Sequence, residues 1–548
     1  MTAPPRRHPT LPSWPWGVPA LVLLLPLLLW PLAATIGLAI APERVALPIP
    51  GQEMLLARLL ATVGQAALST LLALAIGLPA AYVFAQIRFP GRGLVRFIAT
   101  LPLVLPTIVI AIAFEEYIGP DCWLEALVAG AGLPPLNLPG TLWAVVLAHA
   151  FVGVAIVIQP VADAWAHLDR EQEEAARLLG ATRLEVFREI TWPLLRRAVT
   201  SATVLSFMFA FTSFAIVLIL GAVQYETLEV SIFRLALQPG PPTQAALLSL
   251  LQFGTAVIVL LPSAPPRADT AVRRREEAGR TLRRSSWSAR FLTLVVIFCI
   301  AALIVAPLAS LAYEALTKDG VLTLSNFRGL VEGDPPGTSR TLDAIASSIS
   351  LAVGSAALAL VLGVTTAMTV APAFGRATRV LQVALLLPLA VPPNALALGY
   401  LLTFQSGGSI FGVPWLVLLA HAVIATPVAL RAVLPAARAL NQHRVEAAVL
   451  LGAPPPEAWW SVALPRMRRE IAIGALLAAC VSLGQLGATL LLRGGTFSTI
   501  PIEIYEAVTQ SGPEENSRAV ALAAILGAIA VVAFVGIEWL RPHDRGEL

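Results

Sequence analysis

Two segments of the chain repeat one spaced set of acidic, small and helix-breaking residues. In each segment a Glu-Ala-Ala triplet is followed after three residues by glycine. After nine more residues come an apolar residue, one residue of any type, and an apolar residue that is followed directly by proline. The copies comprise Glu174, Ala175, Ala176, Gly180, Ile190, Trp192 and Pro193, and Glu446, Ala447, Ala448, Gly452, Val462, Leu464 and Pro465, at a constant offset of 272 in the numbering. We predict no catalytic residue in the chain, and the chemistry that this pattern indicates is noncovalent docking.

The residue types of these segments suit two short helices that dock on a partner protein. A glutamate at a helix start favours the positive end of the helix dipole, and paired alanines leave a thin face that can enter a groove. Gly180 and Gly452 can adopt the left-handed conformation that ends a helix. A second short segment follows, and Pro193 or Pro465 begins the return to the membrane. The alternative is an ordinary amphipathic loop with an alanine-rich helix.

The chain lacks the loop that binds ATP in P-loop proteins. Lys318 is its only lysine, and the residues before it are Glu-Ala-Leu-Thr, whereas that loop needs glycine directly before lysine. If ATP drives this protein, a separate subunit must bind the nucleotide and its Mg²⁺. We therefore expect the chain to be no enzyme and to hold no cofactor of its own.

The composition is that of a membrane protein. Of the 548 residues, 57% are hydrophobic and 13% charged, and the mean hydropathy is +0.79, whereas soluble proteins are about a quarter charged. The apolar blocks are long enough to cross a bilayer as helices, which takes about 20 residues, and they lack the alternating polarity of a β-barrel. Cys122, Cys299 and Cys480 are too far apart to indicate a disulfide framework or a metal site.

We predict an all-α polytopic membrane protein with twelve transmembrane helices in two halves. Residues 1–262 and 290–548 form the halves, with a docking segment near 171–197 in the first and near 443–469 in the second. An arginine-rich linker at 263–289 joins them. The predicted spans are 17–41, 59–86, 97–114, 141–162, 198–221 and 243–262, then 291–313, 344–370, 380–404, 413–430, 471–492 and 519–540.

Arginine is concentrated in one alternate set of loops. These loops follow the second and eighth spans, precede the fifth and eleventh, and include the central linker. Loops rich in arginine face the cytoplasm. Both termini and both docking segments are then cytoplasmic. The opposite loops are poorer in arginine, although Arg44, Arg234 and Arg493 are among those that lie there.

The two halves are copies of one another. Matching residues recur at an offset of 286 up to the third span and of 272 from the fourth, so one outer loop is longer in the first half. The pairs are Gly77 and Gly363, Pro102 and Pro388, Pro106 and Pro392, and His149 and His421. Because each half has an even number of spans, the copies insert in the same orientation. The interface between them then suits a transport pathway.

The repeated segment resembles the EAA loop of ATP-binding-cassette importer permeases, whose pattern is E-A-A, three residues, G, nine residues, I-x-L-P. Trp192 replaces leucine in the first copy and Val462 replaces isoleucine in the second. The resemblance implies that each loop docks on one subunit of an ATPase dimer, whose closing swings the halves between inward-open and outward-open. It also implies an extracytoplasmic substrate-binding protein, a bacterial inner (plasma) membrane and contact with lipid. We expect no nucleic-acid partner.

Fusion of both halves in one chain resembles the ferric-iron and thiamine permeases of this family. Residues 211–214 and 220–221 are similar to the thiamine members, and residues 483–490 and 499–505 to the wider iron and thiamine group. The resemblance does not separate the two substrates, and we favour ferric iron slightly. Carboxylates are hard ligands that suit Fe(III), although acidic outer loops are common. The acidic residues of the outer loop are Glu115, Glu116, Asp121 and Glu125.

Two further sets of residues within the spans are candidates for function. His149 and His421 are ionisable residues at equivalent places, which indicates function by default, but we favour a hydrogen bond to a neighbouring helix. Prolines are expected to kink the third and ninth spans and to line the substrate pathway. They are Pro102, Pro106, Pro388 and Pro392.

Two other classes of protein share part of this pattern. A twelve-helix secondary transporter driven by an ion gradient also has a parallel repeat, but it needs a coupling carboxylate, and few acidic residues lie deep in the spans. A channel or scaffold without energised transport needs no ATPase. Because neither class gives the paired docking segments a role, the importer permease is the function that we favour.

Overall fold

A computed structural model of the chain is built almost wholly of helices. It describes residues 20–40, 52–119, 122–132, 134, 136–168, 170–221, 225–238, 242–260, 280–281, 286–318, 320–332, 340–371, 391–405, 413–440, 442–493, 497–510 and 512–541. Among these residues the only strands are four of two residues each. Ile87–Arg88 (β1) pairs in parallel with Arg280–Thr281 (β2), and Thr317–Lys318 (β3) pairs antiparallel with Val321–Leu322 (β4).

The helices of the first half are separated by short breaks and turns. They are α1 (Leu25–Ile40), α2 (Gln52–Gln86), α3 (Arg92–Thr100), α4 (Thr107–Ile118), α5 (Trp123–Gly130), α6 (Leu142–Ala166), α7 (Arg170–Leu178), α8 (Arg183–Val186), α9 (Trp192–Phe211), α10 (Ala215–Leu220), α11 (Leu228–Ala236) and α12 (Thr243–Leu260). A π-helical turn at Ala20–Leu24 precedes α1, a 3-10 turn at Leu101–Leu103 follows α3, and a π-helical turn at Phe187–Thr191 joins α8 to α9.

The second half has a corresponding series of helices. They are α13 (Trp287–Ile300), α14 (Ala306–Leu316), α15 (Ser325–Glu332), α16 (Arg340–Val370), α17 (Pro393–Tyr400), α18 (Val413–Ala439), α19 (Gln442–Leu450), α20 (Pro455–Ala458), α21 (Leu464–Leu483), α22 (Gly487–Leu492), α23 (Ile500–Gln510) and α24 (Pro513–Leu540). π-Helical turns lie at Ala301–Val305, Leu401–Gln405 and Trp459–Ala463.

The duplication predicted from the sequence is confirmed by the helix boundaries. Helices α9 and α21 begin and end at the predicted offset of 272, and so do α10 and α22. The π-helical turns Phe187–Thr191 and Trp459–Ala463 differ by the same offset. The docking segments of the two halves therefore lead into the membrane through the same local structure.

Ten of the twelve predicted spans are matched by the described residues. Nine helices there are long and apolar enough to cross a membrane, or ten if the bent pair Arg92–Leu103 and Thr107–Gly130 counts as one span. The ninth predicted span, 380–404, lies partly outside the described residues. In the eleventh, the first two turns of α21 carry Arg466, Arg468, Arg469 and Glu470, so its apolar part is short.

Three predicted spans are not continuous helices, which corrects the sequence-based boundaries. The third breaks at Leu101–Leu103, and the backbone of Pro106 is extended at ψ 137° before α4 begins. The fifth breaks at 212–214 and the eleventh at 484–486. Proline explains the first break, because it lacks the N–H that a helix needs. The other two contain no proline and lie where the two halves meet.

Each half contributes elements to the packing of the other. Helix α1 packs on α17 of the second half, and α14 packs on α4 of the first half. The last span of each half also packs on the other half. Helix α12 of the first half contacts α17 of the second, and α24 of the second half contacts α4 of the first. The broken third span and the described part of the ninth, α17, therefore lie at the interface, as a parallel repeat predicts.

The linker between the halves returns to the first half at the loop that follows α2. Arg280 pairs with Ile87 and Thr281 with Arg88 in the short parallel ladder. Helix α13 begins at Trp287, four residues before the predicted span, and Ser286 caps it by accepting from Ala289 N–H at 3.4 Å. The remainder of the predicted linker at 263–289 lies outside the described residues.

A repeated glycine allows the second and fourth spans of each half to approach closely. A Cβ atom added at Gly77 would lie 2.8 Å from Val157 Cβ, and one at Gly363 would lie 3.1 Å from Ala429 Cβ. The two contacts are equivalent, because Val157 and Ala429 occupy matching places in the two copies. Small residues at such contacts let helix backbones pack closely inside a membrane.

We expect Gly77→Val to destabilise the folded protein by about 1–3 kcal/mol, because the new side chain overlaps Val157 in a closely packed contact. Gly64→Val is the matched control on the same helix, since a Cβ there meets no atom within 4 Å. Thermal unfolding of the detergent-solubilised protein measures the difference. Equal melting temperatures for the two variants would contradict the close approach of α2 and α6.

Candidate functional site

The first docking loop begins with a helix that ends at a left-handed glycine. Gly180 has φ +95° and follows α7. Gly180 N–H donates to the carbonyl of Arg177 and Ala181 N–H to that of Ala176, both at 3.0 Å. This pair of bonds is the Schellman arrangement, which satisfies the free carbonyls at a helix end.

The second docking loop repeats that arrangement. Gly452 has φ +99° after α19. Gly452 N–H donates to Val449 at 3.0 Å and Ala453 N–H to Ala448 at 3.1 Å. The prediction that both glycines end a helix in the left-handed conformation is confirmed. The docking role of the predicted residues, from Glu174 to Pro193 and from Glu446 to Pro465, stays a prediction.

Two details of the predicted loop geometry are wrong. Glu174 and Glu446 are each the fifth residue of their helix, because α7 begins at Arg170 and α19 at Gln442. The favourable charge at the helix start in α7 comes from Glu171 and Glu173 instead.

The second correction concerns the return to the membrane. Helical structure is continuous from Arg183 to Phe211, with Pro193 in its interior, so no separate short helix precedes the membrane segment. The π-helical turn directly before α9 accommodates the hydrogen bond that proline cannot make. Pro465 lies after the equivalent turn in the second half. A force applied at either loop therefore acts directly on a membrane helix.

An exposed leucine pair marks each docking loop. The exposed fractions are 89% for Leu178, 89% for Leu179, 87% for Leu450 and 89% for Leu451. Contiguous exposed apolar side chains are typical of protein interaction sites. These leucines were not among the predicted site residues, although a Leu-Leu pair directly precedes the glycine in both copies of the sequence.

The two loops are held together by different contacts. In the first, Thr191 Oγ1 donates to Glu173 Oε1 at 2.7 Å and joins the π-helical turn to α7. The equivalent residues of the second loop are Ala463 and Val445, which cannot form that bond. The first loop also has a capping box, in which Thr182 and Glu185 bond reciprocally, and hydrogen bonds from Thr182 lower the pKa of Glu185. The two loops therefore share the backbone turn at their glycines and differ in the polar contacts around it.

The predicted pathway prolines lie at the breaks between helices. Pro102 lies in the 3-10 turn after α3, and Pro106 and Pro392 precede α4 and α17 with the same extended backbone, at ψ 137° and 139°. Pro388 lies outside the described residues. A Cβ added at Gly484, in the break after α21, would lie 3.2 Å from Pro106 Cα. The breaks of the two halves therefore meet, and the pathway role of the prolines stays a prediction.

The acidic residues of the outer loop do not assemble into a metal site in the part of the chain that is described. Glu115 and Glu116 lie near the end of α4 and Glu125 lies in α5, while Asp121 falls outside the described residues. Glu116 Oε1 accepts a hydrogen bond from Asn516 at 3.4 Å. Within the described ranges, no group of three His, Cys, Asp or Glu side chains could hold a metal ion.

The repeated histidines differ in their partners. His421 Nδ1 lies 2.9 Å from Ser482 Oγ, and its Nε2 lies 2.9 Å from Thr489 Oγ1. Thr489 donates its own proton to the Gln485 carbonyl at 2.6 Å, so His421 Nε2–H donates and Nδ1 accepts. This residue joins α18 to both helices flanking the break at 484–486. The predicted bond to a neighbouring helix is confirmed for His421.

The same prediction is wrong for His149 within the described residues. Both ring nitrogens of this buried residue lack a hydrogen-bond partner there. The positions equivalent to Ser482 and Thr489 are Ala210 and Val217, which offer no polar group. His149 instead contacts the ring of Phe209 edge-on, with centroids 6.3 Å apart.

We expect His421→Leu to destabilise the protein by about 1–3 kcal/mol, because it leaves the hydroxyl of Ser482 buried without its partner. His149→Leu should cost much less, since it removes no hydrogen bond to the described residues. Thermal unfolding of both variants in detergent measures the comparison. A larger loss for His149→Leu would show that the histidine has a polar partner.

Comparison with known proteins identifies the family. Residues 73–317 and 342–545 match the binding-protein-dependent transport system inner membrane component. The chain belongs to this family. The match occurs twice, and each matched range contains one of the two docking segments, although the first range extends past the linker to residue 317. The match confirms the importer-permease resemblance of the paired docking segments.

The family includes relatives that extend over most of the chain. The thiamine transport system permease protein of Brucella abortus is 27% identical over 482 residues, which cover 86% of this chain and 85% of the relative. The protein of that name from Salmonella typhimurium is 26% identical over 552 residues, 98% of each chain. A probable molybdenum ABC transporter permease protein of Haloferax volcanii is 34% identical over 220 residues, 40% of this chain and 77% of the relative. The fused two-half architecture is thus shared with the thiamine permeases.

Proposed function

We propose that this chain is the membrane permease of an ATP-driven importer that takes up thiamine from an extracytoplasmic substrate-binding protein. One observation carries the proposal. Two exposed docking loops of the same construction occur at equivalent places in the two halves of a chain from a binding-protein-dependent family. Two equivalent loops suit a partner with two equivalent surfaces, which is a dimer. An ion-gradient transporter has no use for such loops, so the family and the loops together favour the importer.

The partner at the loops is an ATPase dimer that binds ATP and Mg²⁺. The chain has no P-loop of its own, because its only lysine lacks the required glycine. In this proposal the permease therefore holds no cofactor and hydrolyses nothing. The docking residues are those of the repeated segments, Glu174, Ala175, Ala176, Gly180 and Pro193 with Glu446, Ala447, Ala448, Gly452 and Pro465, together with the exposed leucine pairs.

Continuous helices carry the movement of the ATPases into the membrane. In the first half the helical segment from the loop to Phe211 ends at the break 212–214, and in the second half α21 ends at the break 484–486. Both breaks lie at the interface between the halves. When the ATPases approach one another, rotation of the two segments separates or closes the interface, which gives alternating access.

Thiamine is a better-supported substrate than ferric iron. The relatives from Brucella abortus and Salmonella typhimurium are thiamine permeases, and they match over 86% and 98% of this chain. The acidic residues of the outer loop form no metal site among the described residues, so they lend ferric iron no support. The slight preference for iron is therefore replaced by thiamine.

The arginine-rich loops orient the chain in the membrane. We place it in the bacterial inner (plasma) membrane with both termini in the cytoplasm, because its arginines cluster in the loops on that side. The halves are residues 1–262 and 290–548, joined by the cytoplasmic linker at 263–289. The substrate-binding protein then docks on the opposite face.

Uptake by reconstituted proteoliposomes tests this function. The permease is purified with its ATPase and supplied with ATP inside the liposomes and a thiamine-loaded binding protein outside. Uptake of radiolabelled thiamine that needs both ATP and the binding protein is the expected result. A binding protein loaded with Fe(III) is the control for the substrate.

Two results would overturn the proposal. Import of Fe(III) without import of thiamine would reassign the substrate. Thiamine uptake that follows an imposed ion gradient without ATP would replace the importer with a secondary transporter.

A further inference from the structure

The first half contains a buried carboxyl group without a hydrogen-bond partner among the described residues. Glu229 lies in the first turn of α11, and its exposed fraction is 0%. Neither carboxyl oxygen accepts a hydrogen bond of normal geometry there. Burying such a group without compensation costs several kcal/mol. A buried polar group without a partner in a folded protein calls for an explanation, and a functional role is one.

A second buried glutamate, in the other half, shows what a structural carboxylate is like in this protein. Glu503 lies in α23 and is 2% exposed. Its oxygens accept from Arg340 Nε at 2.9 Å, Arg518 Nη2 at 3.1 Å and Ser498 Oγ at 2.7 Å. The charge of Glu503 is thus neutralised within its own half. Glu229 has no such set of partners among the described residues.

Glu229 faces the other half of the protein. Helix α11 packs against α17, where Asn394 is fully buried and donates from Nδ2 to the Glu229 carbonyl at 3.2 Å. Asn394 Oδ1 has no partner among the described residues. A buried carboxyl and a buried amide oxygen, on packed helices from opposite halves, therefore both lack a hydrogen-bond partner among the described residues.

Aromatic rings complete these surroundings. Phe233 is one turn after Glu229 on α11, and its ring lies edge-on to Phe214 with centroids 5.0 Å apart. Phe214 lies in the break between α9 and α10. A Cβ added at Gly487 would overlap Asn394 Oδ1 and would lie 3.0 Å from Phe214 Cδ1. Glycine at 487 therefore leaves room for both side chains. We call Glu229, Asn394, Phe214 and Phe233 the junction cluster.

We propose that the junction cluster binds an organic cation, the charged ring of the substrate, as it passes between the two halves. Acceptor oxygens suit a positive charge, and phenylalanine faces attract cations and stack on flat rings. This inference rests on the proposed function, because thiamine contains a permanently charged thiazolium ring.

The position of the cluster explains why it is buried here. Asn394 and Gly487 belong to the second half, whereas Glu229 and both phenylalanines belong to the first. Separation of the halves exposes the carboxyl to an incoming cation, and their approach closes it again. The cation replaces the missing partner of Glu229 only during transport.

Substitutions in the cluster test the site through uptake by the complete transporter. Glu229→Gln keeps the shape and removes the charge, so thiamine uptake should fall about tenfold or more. Gly487→Ala should also reduce uptake, because the added methyl displaces Asn394. Glu229→Asp keeps the charge and should retain more uptake than Glu229→Gln. Gly254→Ala is the control, since a Cβ there meets no atom within 4 Å. In each variant, association with the ATPase and the binding protein should be unchanged.

Chemical labelling tests the site without any substitution. A carboxyl group in apolar surroundings adds to a hydrophobic carbodiimide, and the product rearranges to a stable N-acylurea. Mass spectrometry measures the labelled fraction of Glu229 during ATP turnover. Thiamine or tetramethylammonium should reduce this labelling, and the neutral oxidation product thiochrome should not. Glu503 is the internal reference. Because it is already ion-paired with Arg340 and Arg518, its labelling should not change when the cation is added.

The outcomes separate this inference from the proposed function. If wild type imports thiamine and Glu229→Gln imports it equally well, the cation site is wrong and the importer stands. If wild type imports no thiamine, the proposed function fails, and labelling alone decides the site. Protection by tetramethylammonium then supports it. If Glu229 is not labelled, or if neither thiamine nor tetramethylammonium reduces its labelling, the cation site is wrong. This test also decides the matter where a variant does not fold, because it uses the wild-type protein.

Discussion

Arginine at both loop glycines is expected to abolish ATP-driven uptake and to leave the permease folded. Gly180 and Gly452 have φ +95° and +99°, a conformation that costs other residues about 1–2 kcal/mol. No atom lies within 4 Å of an added Cβ at either position, so the permease itself accommodates the side chains. The docked ATPase does not, because two guanidinium groups then project from the surface that it contacts. Disrupting the central contacts of a protein interface costs about 2–4 kcal/mol of binding free energy, which lowers the affinity about thirtyfold or more.

The measurement is thiamine uptake together with co-purification of the ATPase. Gly320→Arg is the matched control. It has φ +75° and equally open surroundings, but it lies on a loop that we predict to face outward. Asparagine at both loop glycines is a second control, since it tolerates the left-handed conformation and adds no charge. If the double arginine variant imports thiamine like wild type, the loops are not the ATPase contact.

Local spacing was sufficient to predict the docking loops. The helix end at Gly180 depends on residues within one turn, and its counterpart at Gly452 occurs in the same sequence context. The constant offset between the copies therefore carries the geometry from one half to the other. What the spacing did not predict is where α7 begins, because helix starts depend on capping contacts and shift by several residues. The continuous helix through Pro193 was missed for a related reason, since a π-helical turn removes the clash that proline usually causes.

Contacts between distant segments account for the remaining errors. Residues 198–221 together have the composition of one apolar span, whereas the break at 212–214 is packed against Gly487 of the other half. His149 and His421 lie in identical tetrapeptides, yet only His421 finds hydroxyl partners among the described residues, because those partners lie on other helices. Glu229 was not predicted from the sequence as a functional residue. Its burial depends on Asn394, which lies in the other half of the chain.

Serine in place of the exposed leucines is expected to detach the ATPase. The four residues are Leu178, Leu179, Leu450 and Leu451, each at least 87% exposed in the permease alone. Burying a leucine side chain stabilises an interface by about 1.5–3 kcal/mol. Removal of all four should therefore weaken ATPase binding at least about a thousandfold, with uptake lost in proportion. Because the leucines contact little in the permease, its melting temperature should stay that of wild type.

Single-loop variants sharpen this prediction. Serine at the leucine pair of one loop should leave one ATPase subunit docked and should still stop uptake, because alternating access needs both halves to move. Leu322→Ser is the matched control, since Leu322 is 79% exposed on the β3–β4 hairpin and away from both loops. Co-purification with the ATPase, measured by light scattering, gives the number of bound subunits. Two bound subunits in the variant with all four leucines replaced would show that the docking surface lies elsewhere on the cytoplasmic face.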